Sequence, residues 1–61
     1  MAIATARKKA GMTQMQVANA LHITDSAVNQ WEAGKTLPKG ARLKELAELL
    51  GCTVDELLKE D

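Results

Sequence analysis

The sequence predicts an all-α fold, a compact cluster of five short helices, and three observations carry that expectation. Apolar residues recur at helical spacing and nowhere alternate as they do in a half-buried strand. Gly11, Gly34 and Gly51 each follow a stretch free of helix breakers, where a helix-ending glycine belongs, while Thr13, Thr24 and Thr53 stand where an N-cap is wanted. The chain has 61 residues and one aromatic side chain, Trp31. Its core must therefore be built from Leu, Val, Ile, Met and Ala, a set that suits packed helices better than sheets.

The first helix is expected over residues 2–10, with Ile3, Ala6 and Ala10 as a weak inward set. The second covers 14–21 and buries Val17, Ala18 and Leu21. It opens on a capping box, Thr13 with Gln16, and Met12 can staple to Val17. The third covers 25–33, starts at Thr24 with an Ile23–Val28 staple, and buries Ala27, Val28 and Trp31. The fourth covers 39–50, with Pro38 at or near its start and Leu43, Leu46, Ala47 and Leu50 as an i, i+3, i+4, i+7 stripe. The fifth covers 54–59, opened by a Thr53–Glu56 capping box and a Cys52–Leu57 staple, and closed by Leu57 and Leu58. Helices this short are unstable alone and must pack as one cluster, a single domain over residues 1–61. No internal repeat or low-complexity segment interrupts the pattern.

Composition narrows the function. No apolar run is long enough to span a membrane. Arg7, Lys8 and Lys9 are not followed by an apolar stretch of the kind a signal peptide needs. The single cysteine, Cys52, reads as a small buried hydrophobe, unable to form an internal disulfide or a metal site alone. A cytoplasmic location is the expectation. Neither a Gly-rich phosphate loop nor a metal-ligand cluster is present, and His22 has no nucleophile or orienting acid at a useful spacing. The expectation is no enzyme, no cofactor, no metal and no small-molecule ligand. The formal charge is zero, yet it is divided: residues 1–44 carry seven bases against two acids, and residues 45–61 one base against six acids. That asymmetry describes a dipolar protein with one end attractive to polyanions.

The informative segment is 14–33, two short helices joined by a turn of about three residues. Such a turn makes the helices cross steeply, and Ala18 is small enough for a close approach. The second of the pair then stands proud, with Asp25, Ser26, Asn29 and Gln30 outward. Asn and Gln can bond adenine bidentately and Asp can accept from cytosine, so this face has the chemistry to read base edges. The same residues would also serve as an ordinary solvated face, and Asp25 as a partner of the helix dipole.

The stretch MTQMQVANALHITDSAVNQWEAGKTLP resembles the helix-turn-helix of the Cro and phage-repressor (Xre-type) family, and LKELAELLGCTVDELL resembles the helices that complete its five-helix, lambda-repressor-like DNA-binding domain. The likeness covers residues 3–58, with Gln14, Ala18, Leu21, Ile23, Val28, Trp31, Glu32 and Gly34 at the family's spacing. It implies that Thr13, Gln14 and the amides opening the second helix grip a phosphate, with Thr24 at the edge of the third. It implies that Ser26, Asn29 and Gln30, with Asp25, face bases in the major groove, and that Lys35, Thr36 and Lys39 hold the backbone beyond. Arg7 resembles the first-helix arginine that pairs with a glutamate, here Glu32. One departure stands out: the turn position usually held by glycine is His22, in a region where the backbone tends to be left-handed.

The resulting expectation is a transcriptional regulator, a repressor, that binds pseudo-palindromic double-stranded DNA as a homodimer, weakly paired or paired only on DNA, with contacts around Leu57, Leu58 and the preceding loop. The alternative is a protein-interaction module on the same fold, an antitoxin or adaptor, whose acidic C-terminal third docks on a basic partner.

Overall fold

The computed structural model describes residues 1–59 and contains five helices: α1 (Ile3–Lys9), α2 (Gln14–Leu21), α3 (Asp25–Ala33), α4 (Ala41–Leu50) and α5 (Val54–Leu58). The acidic Glu60 and Asp61 counted above lie outside the described residues.

Three of the four connections are built alike. Each is a left-handed residue, then an apolar one, then a capping threonine: Gly11-Met12-Thr13, His22-Ile23-Thr24 and Gly51-Cys52-Thr53. At every one the apolar residue donates its N–H to the carbonyl five positions back, Met12 to Arg7 at 3.1 Å, Ile23 to Ala18 at 2.9 Å and Cys52 to Ala47 at 3.0 Å. These bonds satisfy carbonyls that the helix end would otherwise leave unpaired. They also turn Met12, Ile23 and Cys52 back onto the core, where all three are half-buried. The threonine hydroxyls then accept from Gln16, Ala27 and Glu56, and Gln16 and Glu56 answer by accepting from the threonine N–H groups, completing both capping boxes.

The fourth connection begins the same way and then departs. Lys35 donates to the Gln30 carbonyl at 3.0 Å, but it is a lysine, so nothing apolar pulls the chain back to the core. Thr36 caps no helix, and the chain runs on to Gly40. Here the expected start of the fourth helix is corrected. Pro38 is buried as a plug for the connection rather than placed at the first helical position, and Gly40 is the N-cap with φ 53° and ψ −127°. That conformation is open to glycine and strongly unfavourable for other residues, so helical geometry cannot begin at residue 39.

The core consists of Ile3 from α1, Val17, Ala18 and Leu21 from α2, Val28 and Trp31 from α3, Leu46, Ala47 and Leu50 from α4, and Leu57 from α5. Trp31 is a core residue, as its helical spacing predicts. Ala27 and Leu43 are half-buried and not fully inward. Leu58 is exposed at 53%: in a five-residue helix Leu57 takes the inward position, and its neighbour turns about 100° away. The Ala2 N–H donates to the Leu57 carbonyl at 2.9 Å, which clasps the N-terminal residues to α5. Among the described residues no helix is long and apolar enough to cross a membrane.

Candidate nucleic-acid interface

α2 and α3 pack on each other more extensively than any other pair of helices, and the turn between them is held from both sides. From within, His22 takes φ 58° and ψ 43°, the left-handed conformation expected at that position, and it is the one non-glycine residue with positive φ among those described. From outside, Arg42 of α4 reaches across to donate from Nη1 to the Leu21 carbonyl at 2.9 Å, capping the C-terminus of α2. A weaker 3.8 Å pairing with Glu45 steadies the same side chain. The sequence offers no local signal for this bond, because its partners are twenty-one residues apart.

The front of the pair is tied to α1. Arg7 Nε donates to Glu32 Oε2 at 2.6 Å, and a second guanidinium nitrogen reaches Oε1 at 3.3 Å. Arg7 Nη1 also donates to the Met12 carbonyl at 2.9 Å. Glu32 Oε1 accepts in addition from Gln14 Nε2 at 2.9 Å. One carboxylate therefore joins three helices and orients the base of α3 against α1 and α2. Charge-assisted, two-pronged contacts of this kind add geometric specificity as well as strength.

The residues expected at bases are all on view. Asp25, Ser26, Asn29 and Gln30 are exposed on α3, opposite the buried Val28 and Trp31. Of those expected at phosphates, Thr13, Thr24, Lys35, Thr36 and Lys39 are exposed, and Gln14 is half-buried. Glu32 uses one of the two amide hydrogens of Gln14, which leaves one for a phosphate. Thr13 and Thr24 accept with their oxygens and keep their own hydroxyl hydrogens for another acceptor. Beside them, the first amides of α2 and α3 have no partner within their helices, and an anion is favoured at such a helix start. One exposed residue on α3 was not singled out by sequence, Ala33, which lies one turn beyond Asn29. The i, i+4 spacing contained it, but a single methyl group draws no notice in a search for polar chemistry.

The division of charge along the sequence is only partly a division in space. Lys35 and Lys39 lie exposed in the connection after α3. Lys9, in contrast, shares an open groove of about 610 Å³ with Glu56 and Lys59, floored by Ala6 and Cys52. The missing bulk at Ala6 thus appears as a groove between α1 and the segment from the end of α4 through α5. Burial, with the nearby Glu56 charge second, raises the Cys52 thiol above its ordinary value, as befits a small apolar residue. Among the described residues no group of three or more His, Cys, Asp or Glu could hold a metal ion.

A tight pair of helices with a left-handed turn, backed by three others, is the arrangement that defines helix-turn-helix proteins. The helix-turn-helix family model matches residues 3–57. The chain belongs to this helix-turn-helix family, of the Cro and phage-repressor type. It is 38% identical over 47 residues to an HTH-type transcriptional activator of Enterococcus faecalis, BcrR, covering 77% of this chain and 23% of that protein. It is 36% identical over 55 residues to Repressor protein C2 of Salmonella phage P22, covering 90% of this chain and 26% of that protein. The chain therefore spans about a quarter of the length of these relatives. No solved structure gives a significant match.

Proposed function

We propose that this chain binds double-stranded DNA sequence-specifically and regulates transcription as a repressor, with α3 in the major groove. The observation that carries this is the exposed face of α3: four of its five side chains are polar, and the helix is held on one side by the Arg7–Glu32–Gln14 junction and on the other by the Arg42-capped turn. Asp25, Ser26, Asn29 and Gln30 face base edges, and Thr13, Gln14, Thr24, Lys35, Thr36 and Lys39 meet phosphates on either side. The similarity to a phage repressor over nine-tenths of the chain supports repression, as does the simplest effect of a bound domain, which is to occupy an operator.

One helix reads only a few base pairs, so useful specificity requires two copies on half-sites about one helical turn apart. Leu57 cannot serve the contact expected of it because it is fully buried, while Leu58 remains available at 53% exposure. Selection from a random duplex pool, followed by a salt titration on the winning sequence, tests the reading. A symmetric motif with half-sites about 10 base pairs apart and an affinity that falls steeply with salt supports it. A pool that never converges replaces it with the protein-interaction reading.

A further inference from the structure

We infer that the half-site read by α3 is made of A·T pairs, with a thymine methyl group against Ala33 and a G·C pair admitted only at the edge near Asp25; this rests on the DNA-binding reading above. At about 100° per residue, Asp25, Asn29, Ala33, Ser26 and Gln30 follow one another around a single arc of roughly 140°. All five are exposed, and Ala33 lies in the middle of the arc. Lengthwise the arc covers about 12 Å, the rise of three to four base pairs.

The chemistry along that arc is selective by what it contains and what it omits. α3 has no Lys or Arg, so the commonest reader of guanine, a cation across O6 and N7, is missing. The nearest cations, Lys35 and Lys39, come after the left-handed Gly34 has ended the helix, in the connection expected to meet phosphates. Asn29 and Gln30 each offer a donor and an acceptor side by side, the pair that adenine N7 and N6 require. Among the described residues no interaction engages either side-chain amide, so both are ready for a base. Ala33 is the one apolar group on the arc, and the thymine methyl is the one apolar feature of the major groove. Asp25, at the N-terminal edge, repels guanine oxygens and can accept only from an amino group such as cytosine N4.

The test combines the selected operator with a base analogue. Thymines opposite α3 are replaced one at a time by deoxyuridine, which lacks only the methyl group, and binding is measured for the unaltered chain and for Ala33→Gly. One position is expected to weaken about fourfold on losing its methyl, the ratio for one such group withdrawn from water. Ala33→Gly is expected to lose that discrimination, binding both duplexes equally. Any loss of folding in the variant affects both duplexes alike and cancels in the ratio. A motif with G·C pairs across the centre of the half-site overturns the inference and leaves DNA binding standing. Equal binding of thymine and deoxyuridine duplexes by the unaltered chain does the same. A pool without a motif removes both.

Discussion

His22 occupies a conformation that costs a side chain with a Cβ about 1–2 kcal/mol, and glycine escapes that cost while losing more chain entropy on folding. His22→Gly is therefore expected to raise stability by about 0.5–1 kcal/mol, seen as a higher urea midpoint with DNA binding retained. An unchanged or lower midpoint contradicts the strain. Glu32 is the opposite case, a residue whose partners cannot be spared. The Arg7 and Glu32 side chains are 14% and 10% exposed, so removing the cation leaves a carboxylate with little water and one amide. Arg7→Met is expected to cost about 2–3 kcal/mol, somewhat below the range for fully buried pairs. Against a total near 3–9 kcal/mol for a domain of this size, that would unfold a visible fraction of the protein. The double variant Arg7→Met with Glu32→Leu should recover most of the loss, since an apolar pair leaves no charge stranded. Cys52 adds a pH dependence. Its thiol is raised by burial and by Glu56, so the unfolded chain ionises first as pH rises. Stability is complete below the ordinary thiol range and falls above it, and Cys52→Ala should flatten this alkaline decline in urea midpoints.

At the scale of the helices, what could be read from the sequence is what is local in it. A cap and its partner are three residues apart and a staple five, so α2, α3 and the start of α5 were legible from Thr13 with Gln16, Ile23 with Val28 and Thr53 with Glu56. The left-handed turn at His22 was legible only through the family resemblance, which puts a glycine at that place. The start of α4 was not, since Pro38 suits both a first helical turn and a buried connection, and only packing decides between them. Arg42 on the Leu21 carbonyl and Gln14 on Glu32 were equally out of reach, because both depend on helices distant in sequence coming together. At the site, the polar members of the α3 face were legible from spacing and type, whereas Ala33 and the burial of Leu57 required the packed structure. Gly40 supplies a prediction at this scale. A Cβ there would meet no atom within 4 Å, so any penalty for Gly40→Ala comes from the backbone alone. The expected cost is about 1–3 kcal/mol in thermal or urea unfolding. A neutral result would mean that the connection before α4 can adopt another path.

For the molecule as a whole the question is which charges act on DNA. Net charge is zero, so a uniform field cannot attract a polyanion, and any attraction must come from placement. Arg7 and Arg42 spend their donors inside the protein, on Glu32, Met12 and Leu21. Lys9 stands in the groove with Glu56 and Lys59, where a local acid opposes it. Lys8, Lys35, Lys39 and Lys44 are exposed and without an ion pair among the described residues, and of these Lys35 and Lys39 lie in the connection that follows α3. If these two hold phosphates, each releases about one counterion on binding, and Lys35→Ala or Lys39→Ala should lower the slope of log affinity against log salt by about 1. Both should weaken all duplexes alike, because a phosphate contact carries no sequence information. Lys9→Ala, of equal charge change, should leave the slope nearly as it was, which separates a local contact from a general loss of positive charge. A slope lowered equally by all three would show that long-range field and not placement draws the DNA, and that the connection after α3 does not touch the backbone.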